Sequence, residues 1–331
     1  MKFSNVGGQA VLEGVMMKNK NQYAVAVRKP DQKIEIQTGE FHSVIPGEGI
    51  QKIPLLRGVV NFLDSMILGV KTLSWSGTFF EEEEEPEEEG KSKKEAETGH
   101  LKRETKAGSE TKTASKTKDT SETVLMIGTV LLSLAMAIFL FMFLPYAAME
   151  VCRRWISSEW ILATIEGVTK LLIFFLYLFL ISLMKDIQRV FMYHGAEHKC
   201  INCIEHGMDL TVENVKKASR YHKRCGTSFL FFVIFISIIV FIFVHVQTRW
   251  LRFLVRILMI PVIAGISYEV IRLAGRSDSR CSLLLSKPGM QLQKLTTREP
   301  DEDMIEVGIA SVEAVFDWKS FVEEVRNEEN T

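Results

Sequence analysis

The sequence His194-x-x-Glu197-His198 places two histidines four residues apart, with a glutamate between them. Residues four apart lie on one face of an α-helix, so both imidazoles could bind one divalent metal ion, with zinc as the first candidate. Glu197 would then lie beside the metal, where it could act as the catalytic general base on a bound water. The spacing is the inverted zinc-peptidase pattern and predicts a metal-dependent hydrolase.

The third metal ligand is not fixed by this pattern alone. In enzymes that use it, the third ligand is a glutamate far downstream, and Glu269 is the candidate here. Glu269 falls in an apolar segment, where an ion pair with a nearby arginine is an equal alternative. The other candidate ligands are His222, Cys225, Glu13 and Glu205.

Two competing interpretations use the cysteines. Cys200-x2-Cys203 followed by His222-x2-Cys225 has the spacing of a structural zinc ribbon, which would hold the chain together without catalysis. A redox Cys-x2-Cys pair is less favoured, because no thioredoxin-like strand and helix surround it. The histidines could also simply form hydrogen bonds in a polar segment, but their clustering with Glu197 favours a metal.

Four apolar segments determine the predicted fold class. They cover residues 124–148, about 168–184, 229–246 and about 251–274. A bilayer core needs roughly 20 apolar residues, so these lengths predict four transmembrane helices. The sequence therefore predicts a mainly α, polytopic membrane protein, with an additional interfacial or re-entrant helix and a small N-terminal β segment.

The distribution of Lys and Arg predicts the orientation in the cell membrane. These residues are concentrated in the segment 185–227 and in the C-terminal part of the chain, which places both regions and the N terminus in the cytoplasm. Thiols in that compartment are normally reduced, so the cysteines there are expected to be free or metal-bound. The first fifty residues contain no apolar segment typical of a signal peptide.

Composition divides the chain into five predicted parts. These are a cytoplasmic β segment (1–53), an interfacial or re-entrant helix (54–80), a disordered charged linker (81–123), a four-helix membrane domain containing a ligand-rich loop at 185–227 (124–274), and a cytoplasmic C-terminal segment (275–331). Alternating residues predict strands at 23–28 and 33–38. The earlier sequence GGQAVLEGVMM indicates a close backbone approach or a special turn, and it lacks the Lys-Ser/Thr of a phosphate loop.

The C-terminal segment carries apolar residues at helical spacing, namely Ile305, Ile309, Val312 and Phe316. They predict an amphipathic helix that packs on the protein or binds a protein partner. Membrane lipid is the other expected partner, and no nucleic-acid partner is expected. The alternative to an enzyme is a non-catalytic membrane scaffold or regulator whose metal or polar cluster is structural.

Six ordered blocks of the sequence resemble the bacterial YqhQ family: GGQAVLEGVMM, YHGAEHK, LTVENV, HKRCGTSF, AGISYE and LTTREPDEDMIEV. The resemblance implies an integral membrane protein from a family of unknown function that is predicted to contain metal-dependent enzymes. It also implies that seven of the candidate residues belong to the family's motif blocks, namely Glu13, His194, Glu197, His198, His222, Cys225 and Glu269. In that family positions 200 and 203 are often not cysteine, which weakens the zinc-ribbon interpretation.

Overall fold

The structure is a computed structural model, and it describes residues 2–45, 49, 52–80, 128–244, 246, 248–275 and 279–329. The charged linker predicted at 81–123 lies outside the described residues, as do the first residues of the segment predicted to span at 124–148.

The N-terminal segment forms a four-stranded antiparallel sheet in the order β1-β2-β3-β4. The strands are β1 (Val6–Val11), β2 (Gly14–Asn19), β3 (Gln22–Arg28) and β4 (Ile34–Glu40). The last two coincide with the two predicted strands. The sequence GGQAVLEGVMM, expected to form a turn or close approach, forms the first hairpin.

The helices begin at Leu56, after the segment that follows β4. They are α1 (Leu56–Gly77), α2 (Gly128–Cys152), α3 (Glu159–Ile181), α4 (Lys185–Glu205), α5 (Val212–Lys217), α6 (Gly226–Phe243), α7 (Arg249–Ala274), α8 (Arg280–Thr296), α9 (Glu302–Glu313) and α10 (Trp318–Glu329). Helices α2, α3, α6 and α7 contain stretches long and apolar enough to cross a membrane. This confirms the predicted fold class, including the small N-terminal β segment.

The sheet is covered on both faces because alternate side chains of each strand point in opposite directions. Val15, Met17, Ala24 and Ala26 belong to a core shared with α4 and α9. Met16, Tyr23, Val25 and Val27 form a second core with Leu68 of α1. The sheet therefore joins α1 to the helices that carry the candidate metal ligands.

The segment 185–227, predicted as a loop, instead contains α4 and α5. Its change of direction comes at Met184, whose extended backbone (ψ 130°) separates α3 from α4. The second half of α4, from Tyr193 to Glu205, has nearly every side chain buried, because the sheet, α5 and α9 enclose it. Glu197 and His198 thus lie in a protein core, with the half-buried His194 at its edge.

The C-terminal segment was predicted to contain one amphipathic helix, but the structure contains three. Helix α8 continues through Pro288 and Gly289, and Gly289 lies so close to Ser228 of α6 that an added Cβ would meet its side chain at 2.5 Å. The apolar side of α9, including Ile305 and Val312, is buried against α4, β2 and β3.

Candidate metal centre

Helix α4 brings His194, Glu197 and His198 onto adjoining positions of one buried surface. The two imidazole rings lie with their centroids 4.3 Å apart, as expected for residues one helical turn apart. His198 is 1 % exposed and Glu197 is 5 % exposed. The sequence His-x-x-Glu-His is therefore in mid-helix, which is the conformation that the metal hypothesis requires.

Each histidine is oriented by a main-chain carbonyl. Nδ1 of His194 donates to the carbonyl of Thr296 (2.8 Å), and Nδ1 of His198 donates to the carbonyl of Arg220 (2.7 Å). In a neutral imidazole this leaves the lone pair on Nε2. Metal-binding histidines are commonly held in this way, with the other ring nitrogen donating to a carbonyl or carboxylate.

Cys225 completes a group of three candidate ligands. Its Sγ lies 3.1 Å from Nε2 of His194, and one ligand atom from each of His194, His198 and Cys225 lies within 4.8 Å of the others. Small side-chain rotations would bring such atoms to the bond lengths of zinc, about 2.0–2.3 Å. Nitrogen and thiolate sulfur are also the donors that zinc prefers, so the residues fit this metal.

The electrostatics of this group favour a bound cation. Burial would raise the pKa of Cys225, but the neighbouring imidazoles of His194 and His198 bring it well below its usual value. Burial would lower the pKa of His194, but the Cys225 thiolate raises it to about 9. Both shifts are in the direction of negative charge on Cys225 beside positive charge on His194, and a divalent cation bound there would take the place of the His194 proton.

Cys225 is positioned by the start of α6. It is the N-cap residue of that helix, and its Sγ accepts a hydrogen bond from the main-chain N–H of Thr227 (3.4 Å). The preceding chain is held by α4. Lys199 donates to the carbonyls of Lys216 and Ala218, and Asn202 donates to those of Ser219 and Tyr221.

Glu197 lies close enough to His194 and His198 to interact electrostatically with both, and it is not a member of the three-residue group. Burial raises the pKa of Glu197 above its usual value, while His198 and His194 lower it in part. On its other side Glu197 packs against Gly8 of β1, where an added Cβ would lie 2.8 Å from its Cγ. The glycine of the first hairpin therefore leaves room for this carboxylate.

His222 belongs to a different buried cluster. Its Nε2 lies 3.7 Å from Glu205, a carboxylate with no exposed surface that also accepts hydrogen bonds from Arg224 and from the main-chain N–H of Ser4. Burial alone would raise the pKa of Glu205, but the nearby His222 and the charge of Arg224 bring it below its usual value. We call these residues the Glu205 cluster.

Glu269 and Glu13 are also placed away from the three ligands. Glu269 receives two hydrogen bonds from Arg57, and this pair joins α7 to α1. Glu269 therefore forms an ion pair, as anticipated, but its partner is the distant Arg57 and not an arginine near it in the sequence. Glu13 pairs with Arg189 and accepts a hydrogen bond from Tyr193 (3.2 Å), which joins the first hairpin to α4.

Gly195 is required by a close contact in the site. A Cβ on this residue would lie 2.0 Å from the main-chain oxygen of Arg298. The glycine thus lets the segment after α8 approach α4 closely enough for Thr296 to orient His194.

Replacement of Gly195 by alanine should therefore destabilise the protein by ~1–3 kcal/mol, because the segment must move away. In a free helix the same change would stabilise by about 1 kcal/mol. Thermal unfolding in detergent measures the effect, with Gly226→Ala as control, since a Cβ there meets no atom within 4 Å. Equal unfolding temperatures for the two variants would contradict the close contact.

Two features of the site are not indicated by residue type. The carbonyls that orient His194 and His198 belong to the main chain, so any residue could supply them. The cationic residues Arg220 and Arg298 are at or within two residues of these carbonyls in the sequence, and only Arg298 lies in one of the family's sequence blocks.

Comparison with known proteins gives the family. Residues 53–318 match the model of a family described as "Protein of unknown function (DUF1385)". The chain is also 36 % identical over 306 residues to "Uncharacterized protein YqhQ" of Bacillus subtilis (strain 168), covering 92 % of this chain and 90 % of the relative. The chain belongs to the YqhQ (DUF1385) family. No solved structure shows a significant match.

The resemblance of the sequence blocks to the YqhQ family is thereby confirmed. The region matched by the family model includes the three candidate ligands and Glu197, but begins after the sheet that carries Gly8 and Glu13. In this YqhQ-family chain, Cys200 and Cys203 lie outside the three-ligand group. Both are buried free thiols, and burial raises the pKa of each well above its usual value.

Proposed function

We propose that this protein is a divalent-metal-dependent enzyme of the membrane, with His194, His198 and Cys225 as the metal ligands. The observation that carries the proposal is the convergence of one ligand atom from each of His194, His198 and Cys225, with each imidazole oriented through Nδ1. Zinc is the metal that this donor set favours.

The number of ligands supports catalysis over a purely structural role. Structural zinc sites usually have four protein ligands, whereas catalytic sites have three and leave one position for water or substrate. Among the described residues, the group has three members. A zinc ion bound there would supply Lewis acidity and lower the pKa of water.

Glu197 has the position and environment of the general base in a hydrolysis. Its carboxylate lies close enough to His194 and His198 for their charges to change its pKa, yet it is not one of the three ligands. Burial moves the pKa of Glu197 toward neutrality, which is the range in which a general base is most effective. Its carboxylate accepts the proton of the attacking water and passes it to the leaving group.

The site faces the cytoplasm in this proposal. The four helices that could cross a membrane leave α4 and α5 on the same side as the strands and the C-terminal helices, since α4 packs on β1, β2 and α9. The Lys and Arg content of that side then places both termini in the cytoplasm.

Metal content tests the proposal directly. Full-length protein purified without chelators should contain about one zinc per chain by inductively coupled plasma mass spectrometry. Cys225→Ala should lose the metal, because it removes the thiolate ligand. Cys203→Ala is the matched control, a buried cysteine outside the group, and should keep it. Wild-type protein without stoichiometric metal would end the proposal.

A non-catalytic scaffold is the second candidate. It is supported by the placement of the ligands, since one metal would join α4 to the start of α6 and fix the packing of a cytoplasmic unit on the membrane helices. A protein partner would then bind the outward side of α9 or α10, because their apolar sides are buried within this chain. A wild-type metal content with no effect of Glu197→Gln on any turnover would favour this candidate.

A further inference from the structure

A solvent-open cleft of about 510 Å³ lies next to the candidate metal centre. Three cationic side chains line it, contributed by Arg220 before α6, Lys294 at the end of α8, and Arg298 just after α8. We call this the basic cleft. It is not part of the three-ligand group, and the proposed hydrolysis does not use its cations.

The cations of the basic cleft are not neutralised by the protein. Arg220 donates to the hydroxyl of Tyr221, and Arg298 donates to the carbonyl of Ser182. Within the part of the chain that the structure describes, no carboxylate pairs with either arginine or with Lys294. The one acidic residue of the lining, Glu299, is paired with the buried Lys199. The cleft therefore keeps the positive charge of three cations.

The cleft shares its walls with the metal centre. Arg220 supplies the carbonyl that orients His198, and Thr297 of the lining follows Thr296, whose carbonyl orients His194. An anion held in the cleft would thus lie next to the three ligands. Two guanidinium groups and one ammonium match the charge and the several oxygen acceptors of a phosphate group.

The cleft also opens at the end of a helix that could cross the membrane. Ser182 of the lining directly follows α3, and the next two residues, Leu183 and Met184, expose more than half of their surface. In a membrane this is the depth of the lipid headgroups. Basic pockets at the cytoplasmic ends of membrane helices are a recurring form of headgroup site.

We propose that the basic cleft binds a phosphate group, either that of a lipid headgroup or that of a soluble phosphate compound. The inference goes beyond the proposed hydrolysis, since phosphate binding by Arg220, Lys294 and Arg298 needs no metal. With the metal centre loaded, the cleft holds the phosphate of a substrate beside it.

Two binding measurements on full-length protein in detergent test this proposal. Isothermal titration calorimetry with inorganic phosphate measures the soluble form, and native mass spectrometry with phosphatidic acid against phosphatidylcholine measures the lipid form. Lys294→Gln should weaken binding about tenfold, because it removes one charged donor from the phosphate. Arg220→Gln should act in the same direction. Lys287→Gln, an exposed lysine of α8 outside the cleft, is the matched control and should change affinity less than about twofold.

The outcomes separate the sources of the phosphate and the two proposals. Binding of both ligands assigns the cleft to phosphate groups in general, and retention of phosphatidic acid alone assigns it to lipid headgroups. The proposal would be overturned if Lys294→Gln and Lys287→Gln bound the phosphate ligand with equal affinity. It would also be overturned if the protein neither bound inorganic phosphate nor preferred phosphatidic acid over phosphatidylcholine. Loss of phosphate binding after metal removal would also overturn the phosphate proposal. If the purified protein contains no metal but still binds phosphate, only the metal proposal is contradicted.

Discussion

Alanine in place of His194 should weaken zinc binding by at least ~100-fold, whereas glutamine in place of Glu197 should leave the affinity within a few-fold of wild type. The first change removes a ligand, and loss of even an outer-shell partner of a ligand typically costs about 10–100-fold in metal affinity. The second keeps the size and hydrogen bonding of a side chain that lies outside the three-ligand group. Competition with a chromophoric chelator measures both affinities.

His206→Ala is the matched control for this pair of variants. His206 lies just after α4, and its Nδ1 bonds to the carbonyl of Asn202, away from the three ligands. The His206→Ala variant should bind zinc with the affinity of the wild type. Loss of zinc from Glu197→Gln would make Glu197 a ligand and remove the analogy with the peptidases. Once a substrate is found, the same variant should reduce its hydrolysis by ~10²–10⁴-fold, the usual contribution of a general base.

Methionine in place of Arg224 should destabilise the protein by about 3–5 kcal/mol at neutral pH. The change leaves Glu205 as a fully buried carboxylate without its arginine, and breaking a buried ion pair from one side has costs of this size. Arg189→Met is the control. It removes the partner of Glu13 from a pair in which the arginine is half exposed, and should cost no more than about 1 kcal/mol.

The Arg224→Met effect should depend on pH. The pKa of Glu205 in the folded protein is below the usual value of 4.5, so the cluster stabilises the wild type above that pH and loses this contribution as the pH falls through the folded pKa. Without Arg224 the folded pKa rises, so the variant becomes closer to wild type in acid. Unfolding in detergent between pH 7 and pH 4 measures this, and a difference that stays constant with pH would exclude the assigned role of Glu205.

The membrane helices and the helical metal motif could be predicted from the sequence because both depend on local pattern. Apolar length defines a spanning helix whatever surrounds it. A spacing of four residues places His194 and His198 together in any helix. The predicted starts of the spanning helices were less accurate. Helix α6 already begins at Gly226 and α3 at Glu159, before the apolar segments predicted at 229–246 and about 168–184.

The third candidate ligand could not be fixed from the sequence, because it depends on how distant segments pack. Cys225 joins the histidines only because Lys199 and Asn202 of α4 hold the intervening chain through its carbonyls. Glu269 fits the spacing of the peptidase pattern, yet the structure pairs it with Arg57. These partners are more than two hundred residues apart in the sequence, and no local pattern relates them.

Gly195 has opposite effects on an isolated helix and on the folded protein. Glycine lowers the stability of an isolated helix, so Gly195 by itself would disfavour a helix through His194 and His198. In the folded chain, the missing Cβ is what admits the main-chain oxygen of Arg298. The low helix propensity of one residue is offset by a tertiary contact that any other residue would prevent.

The enclosure of α4 by both ends of the chain has a consequence for biosynthesis. Strand β1 covers one side of α4, and α9 and the carbonyl of Thr296 close another, so the surroundings of His194 come from the first and last parts of the chain to leave the ribosome. The four membrane helices can be inserted while translation continues, but His194 acquires its orienting carbonyl only after residue 296 has been synthesised. In the proposed site, loading of the metal would then follow synthesis of this segment, and a chain truncated before residue 296 would lack the carbonyl that orients His194.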